Sequence, residues 1–217
     1  MKRVVSLAMA FAPLLIVLGS GSANADPTKH KPLDRAPSYM RVFGQAAPPY
    51  GFVQFCDRTP DECAAGPMAE SRFQAGPERL AELDEINRAV NTAIEPATDA
   101  ELYGVEEFWT LPPNGKGDCE DYALLKRHIL IKRGWPIGSL LMTVVRDEKG
   151  DGHAILTART TQGDFILDNK VATVKQWHAT GYEYIMRQSY INPRVWMSLD
   201  PNNGQAPLAI SGVKARR

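Results

Sequence analysis

The run Gly117-Asp118-Cys119-Glu120-Asp121-Tyr122-Ala123-Leu124-Leu125-Lys126-Arg127-His128-Ile129-Leu130-Ile131-Lys132-Arg133-Gly134 reads as one helix with a cysteine in its opening turn. Asp118 suits an N-cap, Glu120 and Asp121 suit a first turn, Lys132 and Arg133 suit a last turn, and Gly134 can close it. Leu124, Leu125, Ile129, Leu130 and Ile131 spread over a wide apolar arc, so the helix is expected to be largely buried. A helix start offers partial positive charge and unpaired N–H groups. That setting suits a nucleophilic sulfur and an oxyanion alike.

Upstream, Trp109-Thr110-Leu111-Pro112-Pro113-Asn114-Gly115-Lys116-Gly117 is a loop dense in breakers. Trp109, close to the cysteine in sequence, is a candidate groove residue. Asp99 to Phe108 is expected to be a short irregular connection. Before it, Gly76-Pro77 opens a helix whose Leu80, Leu83, Ile86 or Asn87, Val90 and Ile94 recur at three- and four-residue steps until Pro96 stops it.

Downstream of Pro136 the period becomes two. Leu140 to Arg146, His153 to Arg159, Asp164 to Asp168 and Tyr182 to Ser189 read as strands, with Glu148-Lys149-Gly150-Asp151-Gly152 and Thr160-Thr161-Gln162-Gly163 as turns. Helices followed by an antiparallel meander predict an α+β domain over residues 76–200.

The flanks differ from this body. Residues 201–217 are polar and read as a flexible tail. Residues 26–75 begin with Pro27, Pro32, Pro37, Pro48 and Pro49 and are expected to be an extended segment. Within it, Cys56 and Cys63 bracket a polar, turn-rich stretch suited to a disulfide loop. Residues 1–25 carry Lys2 and Arg3, an apolar run from Val4 to Leu18 and an Ala23-Asn24-Ala25 ending, the pattern of a cleaved signal peptide. The run is short for a bilayer and Pro13 interrupts it, so no stable membrane insertion is expected after cleavage, and the location is periplasmic or secreted.

The chain is 217 residues long with 44% hydrophobic and 23% charged residues, an ordinary globular composition. Lys plus Arg and Asp plus Glu number 25 each. A balanced body without a basic stripe excludes a nucleic-acid binder as the first reading.

The third cysteine, Cys119, is left over once Cys56 and Cys63 are paired. His153 opens one strand and Asp168 ends the next, so adjacent antiparallel strands bring an imidazole and a carboxylate to one place. Thiol, imidazole and carboxylate are the elements of a nucleophile, base and orienter. Asp164 shares the strand parity of Asp168 and competes with it on spacing alone. His128 and His178 fit structural or exposed positions better.

Gly117-Asp118-Cys119-Glu120-Asp121-Tyr122-Ala123, then Gly152-His153-Ala154-Ile155-Leu156, then Phe165-Ile166-Leu167-Asp168-Asn169 resemble, in order and spacing, the bacterial transglutaminase-like cysteine peptidases, the LapG-like periplasmic proteases. The resemblance covers roughly residues 76–190. It implies a papain-like or transglutaminase-like fold, with Cys119 as nucleophile, His153 as general base and Asp168 as orienter. The proline-rich start and the Cys56–Cys63 pair lie outside the resemblance, so the substrate of any one family member does not carry over.

Asp118, Glu120 and Asp121 oppose a negatively charged sulfur, because like charges crowd one another. A hard divalent cation removes that penalty, and calcium takes oxygen ligands. The resemblance implies calcium too, at Asp118 and Glu120, with Asp121 a weaker ligand. The alternative is that these acids only cap the helix and form salt bridges. A cysteine peptidase with a cell-surface or periplasmic protein substrate, and a regulatory inhibitor protein as a further partner, is the leading expectation. A protein-glutamine acyltransferase and a catalytically silent surface-protein binding module are the alternatives.

Overall fold

The computed structural model describes residues 38–66 and 72–202. The expected signal peptide and all of the expected tail beyond Asn202 lie outside these residues. The central helix, α4 (Cys119–Lys132), packs across a seven-stranded sheet of order β1-β9-β8-β4-β5-β6-β7. The strands are β1 (Gln45–Ala46), β4 (Leu140–Arg146), β5 (Gly152–Thr160), β6 (Gly163–Leu167), β7 (Lys175–Gln176), β8 (Glu183–Gln188) and β9 (Trp196–Ser198), and every neighbouring pair is antiparallel. This is the α+β architecture that the helix-then-meander pattern predicts, and it agrees with the papain-like or transglutaminase-like fold that the resemblance implies.

Strands β4 and β5 lie in the middle of the sheet and are buried almost throughout. Alternation sends Ala154, Leu156 and Ala158 into the main core with Leu124 and Leu130 of α4. Ile155 faces the other way, into a smaller cluster with Met40, Val145, Ile166 and Leu199. Helix α2 (Pro77–Ala93) buries Leu83, Ile86, Asn87 and Val90 at three- and four-residue steps against the same main core.

Two stretches differ from the sequence expectation. The segment before residue 75 is not extended throughout. Tyr50–Arg58 forms a helix, α1, which seats Phe52, Phe55 and Cys56 in the main core. Gly51 permits this packing, since a methyl group there would fall on the Trp109 indole. A one-turn helix at Pro60–Cys63 then brings Cys63 back to Cys56, and the disulfide is formed. The second stretch is Asp99–Tyr103, expected to be irregular, which is a short helix, α3. Thr98 and Glu101 cap it reciprocally, a capping box readable as Thr-x-x-Glu.

Strands β2 (Glu95–Pro96) and β3 (Lys116–Gly117) pair in parallel. Their pairing ties the end of α2 to the start of α4 and lays α3 beside the cysteine. None of the helices among the described residues is long and apolar enough to cross a membrane.

Candidate active site

Three elements converge at one end of the sheet. Cys119 is the first residue of α4, His153 the second of β5, and Asp168 follows β6, which is hydrogen-bonded to β5. His153 Nε2 lies 2.9 Å from Asp168 Oδ1. The same imidazole is hydrogen-bonded to Cys119, and with Nε2 engaged by the carboxylate, Nδ1 is the nitrogen left for the sulfur. The backbone N–H of Ala154 also donates to Sγ at 3.4 Å. Asp164, the competing carboxylate, sits at the opposite end of β6, where it accepts from Arg72 at 2.7 Å.

The carboxylate is itself anchored. Asp168 Oδ2 accepts from the Tyr182 hydroxyl at 2.6 Å, Oδ1 accepts from the Lys170 N–H at 2.9 Å, and the Asp168 carbonyl accepts from Asn91 of α2. Burial would raise its pKa, but the hydrogen bond and charge of His153 and the Tyr182 hydroxyl hold it below the usual range. Burial likewise works against a charged imidazole. The hydrogen bonds to Asp168 and Cys119 and their charges outweigh it, and His153 is raised to about 9. The ring is therefore an imidazolium at neutral pH, with a proton on each nitrogen.

Tyr182 and Asn91 were not legible as site residues, because nothing local to either marks them. Lys126 was not either. It is fully buried on α4 with its Nζ lacking a hydrogen-bond partner among the described residues, and burial depresses it to about 7 despite the charge of Asp168. Trp109 does not line a groove. It is 0% exposed and packs edge-on against Phe52 and Trp196, a core residue of the site's floor. His128 is bound to Glu62 and His178 to Gln176, neither at the site.

The acids flanking the cysteine are not ordinary caps. Asp118 occupies the N-cap position, yet its side chain makes no capping hydrogen bond, and Oδ2 accepts instead from the N–H of Asp99. Glu120 and Asp121 are fully buried, and so is Asp99, a fourth acid that the sequence reading missed. Donors reach only one oxygen of each group: Phe108 N–H to Asp99, Thr110 N–H to Asp121 at 2.9 Å, and the Cys119 thiol to Glu120 at 3.2 Å. Oδ1 of Asp99, Oδ1 of Asp118, Oε1 of Glu120 and Oδ2 of Asp121 are buried without a hydrogen-bond partner among the described residues.

Asp118 lies within ligand distance of Glu120 on one side and of Asp99 and Asp121 on the other. Gly117 makes room for this, since a methyl group there would collide with the Asp121 carboxylate. Burial raises all four acids, and their mutual charges add to it for Asp99, Glu120 and Asp121, the last to about 8. Four crowded, under-coordinated carboxylates are a donor set that can hold a hard cation.

A thiol, an imidazole and a carboxylate at the head of a buried helix, on an antiparallel sheet, define the papain-like and transglutaminase-like thiol enzymes as a class. Residues 42–204 match the family described as "Bacterial transglutaminase-like cysteine proteinase BTLCP", and the chain belongs to that family: it is a transglutaminase-like cysteine peptidase.

Among solved structures the chain is similar to LapG of Legionella pneumophila. The EGTA-treated form is 23% identical over 52% of this chain and 64% of that one, with a TM-score of 0.44. The calcium-bound form is 20% identical over 64% of this chain and 76% of that one, with a TM-score of 0.48. The chain thus spans just under two thirds of the first of these relatives. No curated protein matches it.

Proposed function

We propose that this peptidase is exported, binds calcium beside its nucleophile, and cleaves a protein substrate through a thioester acyl-enzyme. The observation that carries the reading is His153 held between Cys119 and Asp168. In this scheme the Cys119 sulfur attacks the peptide carbonyl, and the first N–H groups of α4 receive the oxyanion. His153 passes its proton to the departing amine, leaving an acyl thioester on Cys119. Water then attacks the thioester while His153 takes its proton, and the free acid leaves as the thiol is restored. Asp168, fixed by Tyr182 and Lys170, keeps the imidazole oriented throughout.

The carboxylates of Asp99, Asp118, Glu120 and Asp121 would hold the calcium, through the oxygens that otherwise lack partners. Calcium would supply charge compensation there, offsetting the opposition of Glu120, whose Oε2 accepts from the thiol at 3.2 Å, to loss of the thiol proton. Export is supported by the Cys56–Cys63 disulfide, which suits an oxidising compartment, and by the leader-like residues 1–25. A surface or periplasmic protein substrate and a regulatory inhibitor protein belong to the same reading.

Incubation of wild type and Cys119→Ala with a cell-surface protein extract, with calcium and with chelator, tests it by mass-spectrometric mapping of new N termini. New N termini made only by wild type with calcium are the expected result. Amide cross-links without new N termini would replace hydrolysis by acyl transfer to an amine. Identical extracts from wild type and variant would leave a silent binding module.

A further inference from the structure

The end of the sheet away from Cys119 carries a second concentration of buried charge, of opposite sign. Arg159 and Asp164 face each other across β5 and β6, and Arg187 lies near the end of β8. Arg159 is 6% exposed and Arg187 4% exposed. The Nε and Nη1 atoms of both are buried with no hydrogen-bond partner among the described residues.

Asp164 is the carboxylate that these cations share. It is already hydrogen-bonded to Arg72 and to the Met40 N–H, and it reaches Arg187 as an ion pair at 3.6 Å. Burial and the neighbouring charges of Arg187 and Arg72 depress Arg159 to about 10, the mark of cations crowded without enough anions. Arg159 and Arg187 both line an open cavity of about 640 Å³, whose lining also includes Arg41 and, among the described residues, no acid. Its exposed lining includes Val42 and Ile191, with Val195 and Met197 half-buried beside them, together with Arg41, Gln45 and Asn192. The Tyr190 ring lies 4.7 Å from the Arg159 guanidinium and fixes its plane.

We propose that this cavity is a second binding site, for a peptide carboxylate flanked by apolar residues. Arginine's planar fork matches a carboxylate, and Nε and Nη1 of Arg159 and Nε of Arg187 lack a hydrogen-bond acceptor among the described residues. An inorganic anion would gain nothing from the apolar part of that lining, whereas a peptide carrying leucine-like side chains would cover it. The cavity is too large for a bare ion, and the 640 Å³ falls in the range of sites that take short peptides and small organic ligands. It is remote from the thiol: Arg159 lies six positions beyond His153 on β5, roughly 20 Å of strand. Occupancy therefore requires no contact with the catalytic groups. The carboxylate can be the terminal one of a polypeptide or that of an acidic side chain.

Calorimetry on the full mature protein with the Cys119→Ala substitution, which prevents cleavage of the probes, separates the sources. The probes are acetyl-Ala-Leu-Leu free acid, acetyl-Glu-Leu-Leu amide, acetyl-Ala-Leu-Leu amide and inorganic phosphate. At least one acidic peptide is expected to bind tenfold or more tighter than the neutral amide. Binding of the free acid alone makes the site a reader of terminal carboxylates, and binding of both makes it a reader of acidic segments.

Arg187→Met is expected to weaken that binding at least tenfold. Ile191→Asp, on an exposed position that leaves folding intact, should do the same by repelling the ligand at the mouth. Equal binding of acidic and neutral peptides, binding of phosphate alone, or full affinity in the Ile191→Asp variant would overturn the proposal.

Discussion

The two ends of the sheet treat buried charge in opposite ways. At the Cys119 end, Asp99, Asp118, Glu120 and Asp121 crowd together with no cation among their hydrogen-bond partners. At the far end, Arg72, Arg159 and Arg187 share Asp164. The protein as a whole is neutral, with 25 charges of each sign, so the imbalance comes from placement rather than composition. Like charges buried together cost stability unless something of opposite sign offsets them. The Arg end contains part of its own counter-charge, in Asp164, whereas at the Cys119 end the charged His153 is engaged by Asp168 and Cys119, and no cation among the described residues is bonded to the four acids. The first is a half-satisfied network, and the second depends on a cation from outside.

The comparison breaks most visibly if one acid is neutralised at each end. Asp164→Asn strips the Arg cluster of its carboxylate and should lower unfolding stability by about 3–5 kcal/mol, read by urea denaturation. Asp99→Asn should act in the opposite direction without calcium, raising stability by about 1–2 kcal/mol as one like charge disappears. The same variant should lose calcium affinity about tenfold or more by calorimetry. Destabilisation of the calcium-free protein by Asp99→Asn would remove the contrast.

The pH dependence of the acidic end follows from its raised carboxyls. A group whose folded pKa lies above its unfolded value costs stability once the pH exceeds the unfolded value, and Asp121 moves from 3.8 to about 8. Calcium-free protein should lose thermal stability between pH 5 and pH 8, and calcium should restore more of it at pH 8 than at pH 5. Scanning calorimetry in chelator and in calcium reads both, and a calcium effect independent of pH would contradict the carboxylate assignment. A smaller effect is expected from Tyr182→Phe, which removes a 2.6 Å hydrogen bond from Asp168. Loss of about 1 kcal/mol, a five- to tenfold slower thiol reaction and a lowered His153 pKa by NMR titration should accompany it.

Much of this was legible in the sequence, for identifiable reasons. Helix α4 and strands β4 to β6 have strong periodicity and sharp turns, so their bounds were readable within a residue or so, and with them the placement of Cys119, His153 and Asp168. Helix α1 escaped because Pro48 and Pro49 dominate its start, although Phe52, Phe55 and Cys56 hold helical spacing. Asp99 escaped for a different reason. It lies 19 residues from Asp118 and is brought there by the two-residue β2–β3 pairing, a contact with no local signature. The Arg cavity is assembled from three separate stretches, residues 40–45, Arg159 and residues 187–197, which no single window of sequence displays.

Activation of Cys119 by His153 underlies the proposed chemistry. Its most direct test is the rate of single-site alkylation of the mature protein by iodoacetamide, followed by intact mass from pH 6 to 10, for wild type and His153→Ala. Because the His153 pKa is raised to about 9, the charged imidazole and the stability it contributes are complete below pH 6.5 and are lost as pH rises through 9. Fast labelling of wild type at pH 7, reduced a hundredfold or more in His153→Ala, with the two rates converging above pH 9, is the predicted result. Equal, slow labelling of both proteins at pH 7 would contradict it.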